Sequence, residues 1–373
     1  MTNRYHARRF PAVFVVAALL WLTAEFARAQ MPVQMQDILA QWQNKENNAR
    51  SIRAEWTEQF TEYKGSLSKI MAEVAATGTA PPEDSSFRHS AKLLIDGDRI
   101  SYRYQSHIWC LPKKKYVEND AIHVFDGRTT RRLTVGGTVD FPCGLIAESE
   151  KLDDVTSPVL RPILVSFRPT APRMSPYQGM PFFLTGRKAL IQGRVCDEVE
   201  VRRPRGTQHR LWVDVARECT VLRMIDYENN VITQKIEVRY VKSNDKGWVP
   251  EEWETSQYLR DQTLQRFYHA KVDLLEINPS FPNDTFKVIW PVGTFVLNET
   301  TREQFIQKEN DKVRTIETDE RQLPYEVLRN SPGRTHWARL LSWPVIAAAF
   351  LLTLAGVLLG IRILRRNNRK LSA

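Results

Sequence analysis

The sequence predicts a mainly β fold of the α+β type, one antiparallel sheet with a single apolar face, joined to one C-terminal transmembrane helix. Two observations predict the sheet. In Val231–Tyr240, Ile232, Ile236, Val238 and Tyr240 fall on one side, and Lys235, Glu237 and Arg239 on the other. That period of two is the mark of a half-buried strand. The segment 268–274 repeats it, with Tyr268, Ala270, Val272 and Leu274 on the apolar side. The third observation is the stretch 340–361, which carries no charge and as a helix would span roughly 33 Å, enough for a bilayer core.

The ends explain the charge. The chain of 373 residues has a net charge of +10. Residues 1–29 hold +3 of it and residues 341–373 hold +5, leaving +2 for the long middle. A nucleic-acid partner is therefore not expected. Arg4, Arg8 and Arg9 precede the apolar run 12–22, and Ala27-Arg28-Ala29 supplies small residues at a cleavage site, so residues 1–29 read as a signal peptide. Trp337 and Trp343 flank the start of the span at 339–362, and a basic tail, 363–373, follows it. The expected organisation is a signal peptide, an exported domain over 30–298, a charged juxtamembrane linker over 299–338, the span, and a cytoplasmic tail. This makes an envelope protein with its bulk on the periplasmic or extracytoplasmic side.

The exported part holds Cys110, Cys143, Cys196 and Cys219. An even number in an oxidising compartment allows two disulfides, and short loops favour Cys110–Cys143 and Cys196–Cys219. Free thiols are the alternative. If Cys196 and Cys219 open strands separated by a third, they lie two strand spacings apart, too far to bond without a bend.

Within the domain, Met35, Ile38, Leu39 and Trp42 recur at helical spacing, predicting a helix over 35–47. The period then becomes two. In Ser51–Phe60, Ala54, Trp56 and Phe60 share a face that Glu58 interrupts. Two hairpins follow, turning at Asp96-Gly97 and Asp126-Gly127. Residues 136–156 have loop character, and 159–167 suits a short helix with Pro162 near its start. Strands are expected at 196–201, 211–215, 221–227, 231–241, 253–259 and 264–277.

Three stations of this order resemble the half-barrel carriers of the bacterial envelope, the LolA family with its relatives LppX and the RseB N-terminal domain. They are the helix leading into Ser51–Phe60, the hairpin His123-Val-Phe-Asp-Gly-Arg-Thr-Thr130, and the ending Thr285-Phe-Lys-Val-Ile-Trp-Pro-Val-Gly-Thr-Phe-Val296. The resemblance implies a curved antiparallel half-barrel sheet with a short helical lid around an apolar cavity. It further implies a lipid, or the acyl chain of an acylated protein, as partner. The cavity-facing candidates are then Trp56, Phe60, Ile100, Tyr102, Tyr104, Ile236, Val238, Tyr240, Val272 and Leu274, although each equally suits a closed core packed on helices. The alternative is an RseB-like regulatory module acting on a membrane partner.

No catalytic signature is present: GxSxG, HExxH, P-loop and GxGxxG patterns are all missing from the sequence. The histidines of the exported part, His89, His107, His123, His209, His269 and His336, are scattered singly, so neither metal nor cofactor is expected. Binding without catalysis is the reading these residues support.

Overall fold

A computed structural model describes residues 33–67, 80–81, 83–149, 157–202 and 207–331. They divide into two units, the first reaching Trp290 with 298–300 added, the second formed by 291–297 and the residues from Thr301 onward.

Helix α1 (Val33–Asn48) opens the first unit. Strands β1 (Ser51–Glu62), β2 (Ser85–Asp96), β3 (Arg99–Cys110), β4 (Lys115–Phe125), β5 (Thr129–Gly136) and β6 (Cys143–Glu148) follow as successive antiparallel neighbours. After helix α2 (Arg161–Phe167) come β7 (Phe182–Ile191), β8 (Arg194–Arg202), β9 (Thr207–Asp214), β10 (Thr220–Glu228), β11 (Val231–Ser243), β12 (Gly247–Tyr258) and β13 (Leu264–Ile277), again paired in sequence. Pairing of β1 with β13 fuses the two meanders into one sheet. Short turns make this possible. Gly97 (φ +58°) supplies the left-handed conformation between β2 and β3, and Asn229 and Asn230 (φ +52° and +65°) supply it between β10 and β11.

Thirteen strands laid flat would cover roughly 60 Å. Instead, one continuous apolar cluster runs from Phe125 of β4, through Trp56 of β1, to Phe182 of β7 at the far edge, and takes in both helices. The sheet curls around α1 and α2 as a half-barrel, and Met35, Ile38, Trp42, Ile163, Leu164 and Phe167 fill its hollow. Every residue of α2 is buried. Its Pro162 sits in the first turn, where the missing N–H costs nothing.

Strand β6 lies inside the stretch expected to be a loop; its six residues pair with β5 after the Gly136-Gly137 turn. A bulge in the β1–β13 ladder has a larger effect. Trp56 faces Val272, but Glu55 faces Leu274, so Asp273 is the extra residue. The alternation slips by one, and Leu275 and Ile277, not Leu274, point with Val272 into the cluster.

The second unit is small. Strand β14 (Phe295–Asn298) precedes the hairpin of β15 (Glu303–Gln307) and β16 (Val313–Ile316), and helix α3 (Tyr325–Asn330) follows. Ile306, Ile316 and Leu328 form its core, with Phe295 and Tyr325 against it. The buried Arg314 donates to the Ser331 carbonyl (3.1 Å) and to Glu320 (2.9 Å). This is the segment read from its charge as a linker; its few apolar residues suffice because they converge.

Two expectations need correction. Among the described residues, no helix is long and apolar enough to cross a membrane. The fold is mainly β with a large open sheet and few helices, and the expected C-terminal transmembrane helix is not supported. Its residues, 339–362, lie outside those described, as do the signal peptide and the tail. The disulfides are also absent: all four cysteines are free. Cys196 on β8 is separated by β9 from Cys219 just before β10, and Cys110 on β3 is three strands from Cys143 on β6. Both separations exceed the reach of a disulfide.

Candidate functional site

The concave face of the half-barrel is the candidate site, and polar groups hold its lid in place. Trp42 of α1 donates its indole N–H to the Cys219 carbonyl (2.7 Å), and Lys45 donates to the Trp248 carbonyl (3.0 Å). Burial lowers the Lys45 ammonium to about 8, against the opposing pull of Glu218. Beyond α2, the buried Arg168 donates to the carbonyls of Glu46 (3.2 Å), Ala49 (2.5 Å) and Arg50 (2.9 Å), tying the two helices together.

Arg161 fastens α2 to the sheet. Its guanidinium grips Asp226 of β10 with two hydrogen bonds, one of 2.7 Å, and donates to the Tyr177 hydroxyl at 2.9 Å. His209 Nδ1 lies 2.6 Å from the same carboxylate. Burial alone would raise the Asp226 carboxyl, but the charge and hydrogen bonds of Arg161 outweigh it. The group ends well below the ordinary carboxylate range.

A second polar group lies on β1. Glu58, only 1% exposed, projects from the apolar face between Trp56 and Phe60. Tyr104 donates its hydroxyl to Glu58 Oε1. His89 Nδ1 is 2.8 Å from the Tyr104 oxygen, and His89 Nε2 accepts the backbone N–H of His107 at 3.1 Å. That acceptor role puts the ring proton on Nδ1, so a chain runs from His89 through Tyr104 to Glu58. Burial, and then the nearby Glu58, push the Tyr104 phenol far above its ordinary range.

His89 stands where two strands part. The β2–β3 ladder ends at Ser90 opposite Gln105, so His107 N–H has no partner on β2 and turns to the imidazole. Phe87, His89 and His107 stack across the gap, with Phe87 and His107 centroids 4.5 Å apart. A cleft of about 720 Å³ opens here, lined by Thr57, Arg88, Gln105, Glu118 and Asn119 among others. Another, of about 490 Å³, lies at the C-terminal end of α1 between Lys45, Phe167, Glu218 and Ile277.

The fold places nine of the ten sequence candidates together. Trp56, Phe60, Ile100, Tyr102, Ile236, Val238 and Tyr240 are buried in the cluster, and Tyr104 and Val272 pack against it. Leu274 sits across from Glu55 on the other face. In this closed arrangement they are core, covered by the helices. Sequence reading passed over Glu58, His89 and His107. The one available signal is Glu58 itself, a carboxylate in an otherwise apolar alternation. Basic residues near the turns have local partners: Lys113 pairs with Asp140 (2.5 Å), Arg202 with Glu200, and Arg210 stacks over Tyr227.

No family profile matches the sequence. No curated protein matches it either. Solved structures do resemble it. A DUF1329 family protein from Desulfovibrio piger is 12% identical, with a TM-score of 0.40 over 69% of this chain and 98% of that one. A putative outer membrane lipoprotein-sorting protein domain from Vibrio parahaemolyticus is 12% identical, with a TM-score of 0.37 over 67% and 94%. The MucA/MucB complex of Pseudomonas aeruginosa contains a chain 12% identical, with a TM-score of 0.24 over 73% and 72%. The half-barrel proteins named from the sequence thus return among the structural neighbours. All these scores lie below 0.5.

Proposed function

We propose that this chain is an exported, non-catalytic binding module that takes an acyl chain, from a lipid or an acylated protein, between its apolar face and its lid helices. The observation that carries this reading is α2. Seven residues long and buried throughout, it plugs the hollow of a sheet far wider than itself, and its fastenings are side-chain hydrogen bonds. Displacing the plug uncovers Ile163, Leu164, Val165 and Phe167 and exposes the sheet face beneath. A ligand restores that burial at roughly 0.8 kcal/mol per methylene, so a chain of about ten carbons makes the exchange close to even. Occupancy then follows ligand supply.

Native mass spectrometry of the full chain released from detergent tests this. The expected spectrum shows adducts with acyl-lipid masses that dissociate on activation, and Arg168→Ala, which loosens the tie between the helices, speeds their exchange. A chain that carries no adduct and does not bind N-phenyl-1-naphthylamine would overturn the proposal.

A further inference from the structure

Four buried side chains on the concave face each present a polar atom with no hydrogen-bond partner among the described residues. They are Trp56 Nε1, Glu58 Oε2, Trp253 Nε1 and Thr255 Oγ1. None is more than 1% exposed. Left so, each would cost on the order of 1–3 kcal/mol. All four lie on the two strands that flank β13.

The register shows how they are grouped. Glu58 on β1 and Trp253 on β12 both stand opposite Ala270 of β13, which lies between them. Trp56 is two residues from Glu58 on its strand, and Thr255 two residues from Trp253 on the other, so all four project to the same side. The rings of Trp56 and Trp253 meet edge to face at 5.5 Å. Ala270, the smallest side chain of the group, leaves the middle low. Helix α2 packs on β12, where two of the four residues lie. The other oxygen of Glu58 is held by Tyr104, so the free one is fixed in direction.

Two indole donors and a hydroxyl beside one carboxylate acceptor make a specific pattern. It is complemented by a group that accepts and donates through adjacent atoms. From this juxtaposition we infer that the ligand of the half-barrel carries an amide at the head of its acyl chain. Its carbonyl accepts from the indoles of Trp56 and Trp253, and its N–H donates to Glu58, with Thr255 at the Trp253 side of the head group. The inference rests on the acyl-binding reading above and adds the polar group that this face selects.

Displacement of N-phenyl-1-naphthylamine from the full chain by ligands of equal chain length tests it. Dodecanamide supplies donor and acceptor, N,N-dimethyldodecanamide the acceptor alone, and dodecane neither. The expected order is dodecanamide, then the dimethyl amide, then dodecane, with about tenfold between the first two. Glu58→Leu closes that gap, and Thr255→Val, a substitution of similar volume, weakens both amides without changing dodecane. The wild-type comparison stands even where a variant fails to fold. An N-dodecanoyl tripeptide binding more tightly than dodecanamide points to an acylated protein as the source, and equal binding to a free lipid amide; either supports the inference. Equal affinity for all three dodecyl ligands overturns it while leaving acyl binding intact. Failure of all three to bind removes both.

Discussion

Asp226 and Glu58 are both carboxylates of the half-barrel, and the protein treats them in opposite ways. Asp226 is held by the Arg161 guanidinium and approached by His209 Nδ1 at 2.6 Å, and Tyr177 accepts from the same guanidinium. Glu58 receives Tyr104 and approaches His89 at 3.4 Å, with no arginine or lysine paired to it and one oxygen unclaimed among the described residues. Asp226 serves to close: it pins the plug α2 to the sheet. Glu58 pins nothing to the lid, since its partners all lie on β1–β3. A buried charge that is fully compensated stabilises one arrangement, whereas one left partly open is better suited to a partner from outside.

The largest effect is expected at the closed site. Arg161→Met leaves Asp226 buried without its cation and should lower unfolding stability by about 3–5 kcal/mol. Adding Asp226→Asn to the same chain should recover a good part of that. Denaturant unfolding of the two variants provides the measurement. A single variant within about 1 kcal/mol of the wild type would remove the distinction between the two carboxylates.

A smaller effect, this time on α1, extends the comparison to a cation. Lys45 is the converse of Glu58, a buried ammonium that donates to a carbonyl and lies near the rings of Phe167 and Tyr240. Burial lowers it to about 8 from an ordinary value of 10.5. The unfolded chain therefore binds more protons between these values, and stability rises with pH across that window and is lost as pH falls through 8. The thiols of Cys196 and Cys219, which burial pushes up to about 11 from 9, act in the opposite direction above pH 9. The clean window is pH 8 to 9, where the wild type should gain about 1 kcal/mol relative to Lys45→Met. A flat difference between the two curves would mean that this lysine remains solvated.

These contrasts also mark what the sequence discloses. Ile236, Val238 and Tyr240 are legible because β11 alternates without interruption through them. Leu274 is misread because a single inserted residue, Asp273, reverses every face beyond it, and nothing in the composition marks a bulge. The helix at 161–167 is legible from its prolines. The grip of Arg161 on Asp226, 65 residues away, is not, since it depends on which strand the plug meets. The histidines look scattered because their spacing carries no pattern. His89 and His107 become neighbours only where the β2–β3 ladder ends, and that ending is a property of the pairing. Glu58 was visible throughout, as the odd residue in an apolar row, while its partners were not.

The smallest effect belongs to Glu58 and is the sharpest test of the contrast. Glu58→Gln keeps the shape, the acceptor for Tyr104 and the position beside His89, and removes only the charge. If the carboxylate is bound to the fold by hydrogen bonds alone, its loss changes stability by less than about 1 kcal/mol, in either direction, because no cation is left unpaired. If His89 instead carried a proton and formed an ion pair with it, the same substitution would strand a buried imidazolium and cost several times more. The backbone N–H of His107, which occupies His89 Nε2, argues for the first outcome. Unfolding of Glu58→Gln beside the Arg161→Met variant, in one buffer at one pH, reads both carboxylates on the same scale. A large loss at Glu58 would make it a second fastening and leave the concave face with no open acceptor to offer a ligand.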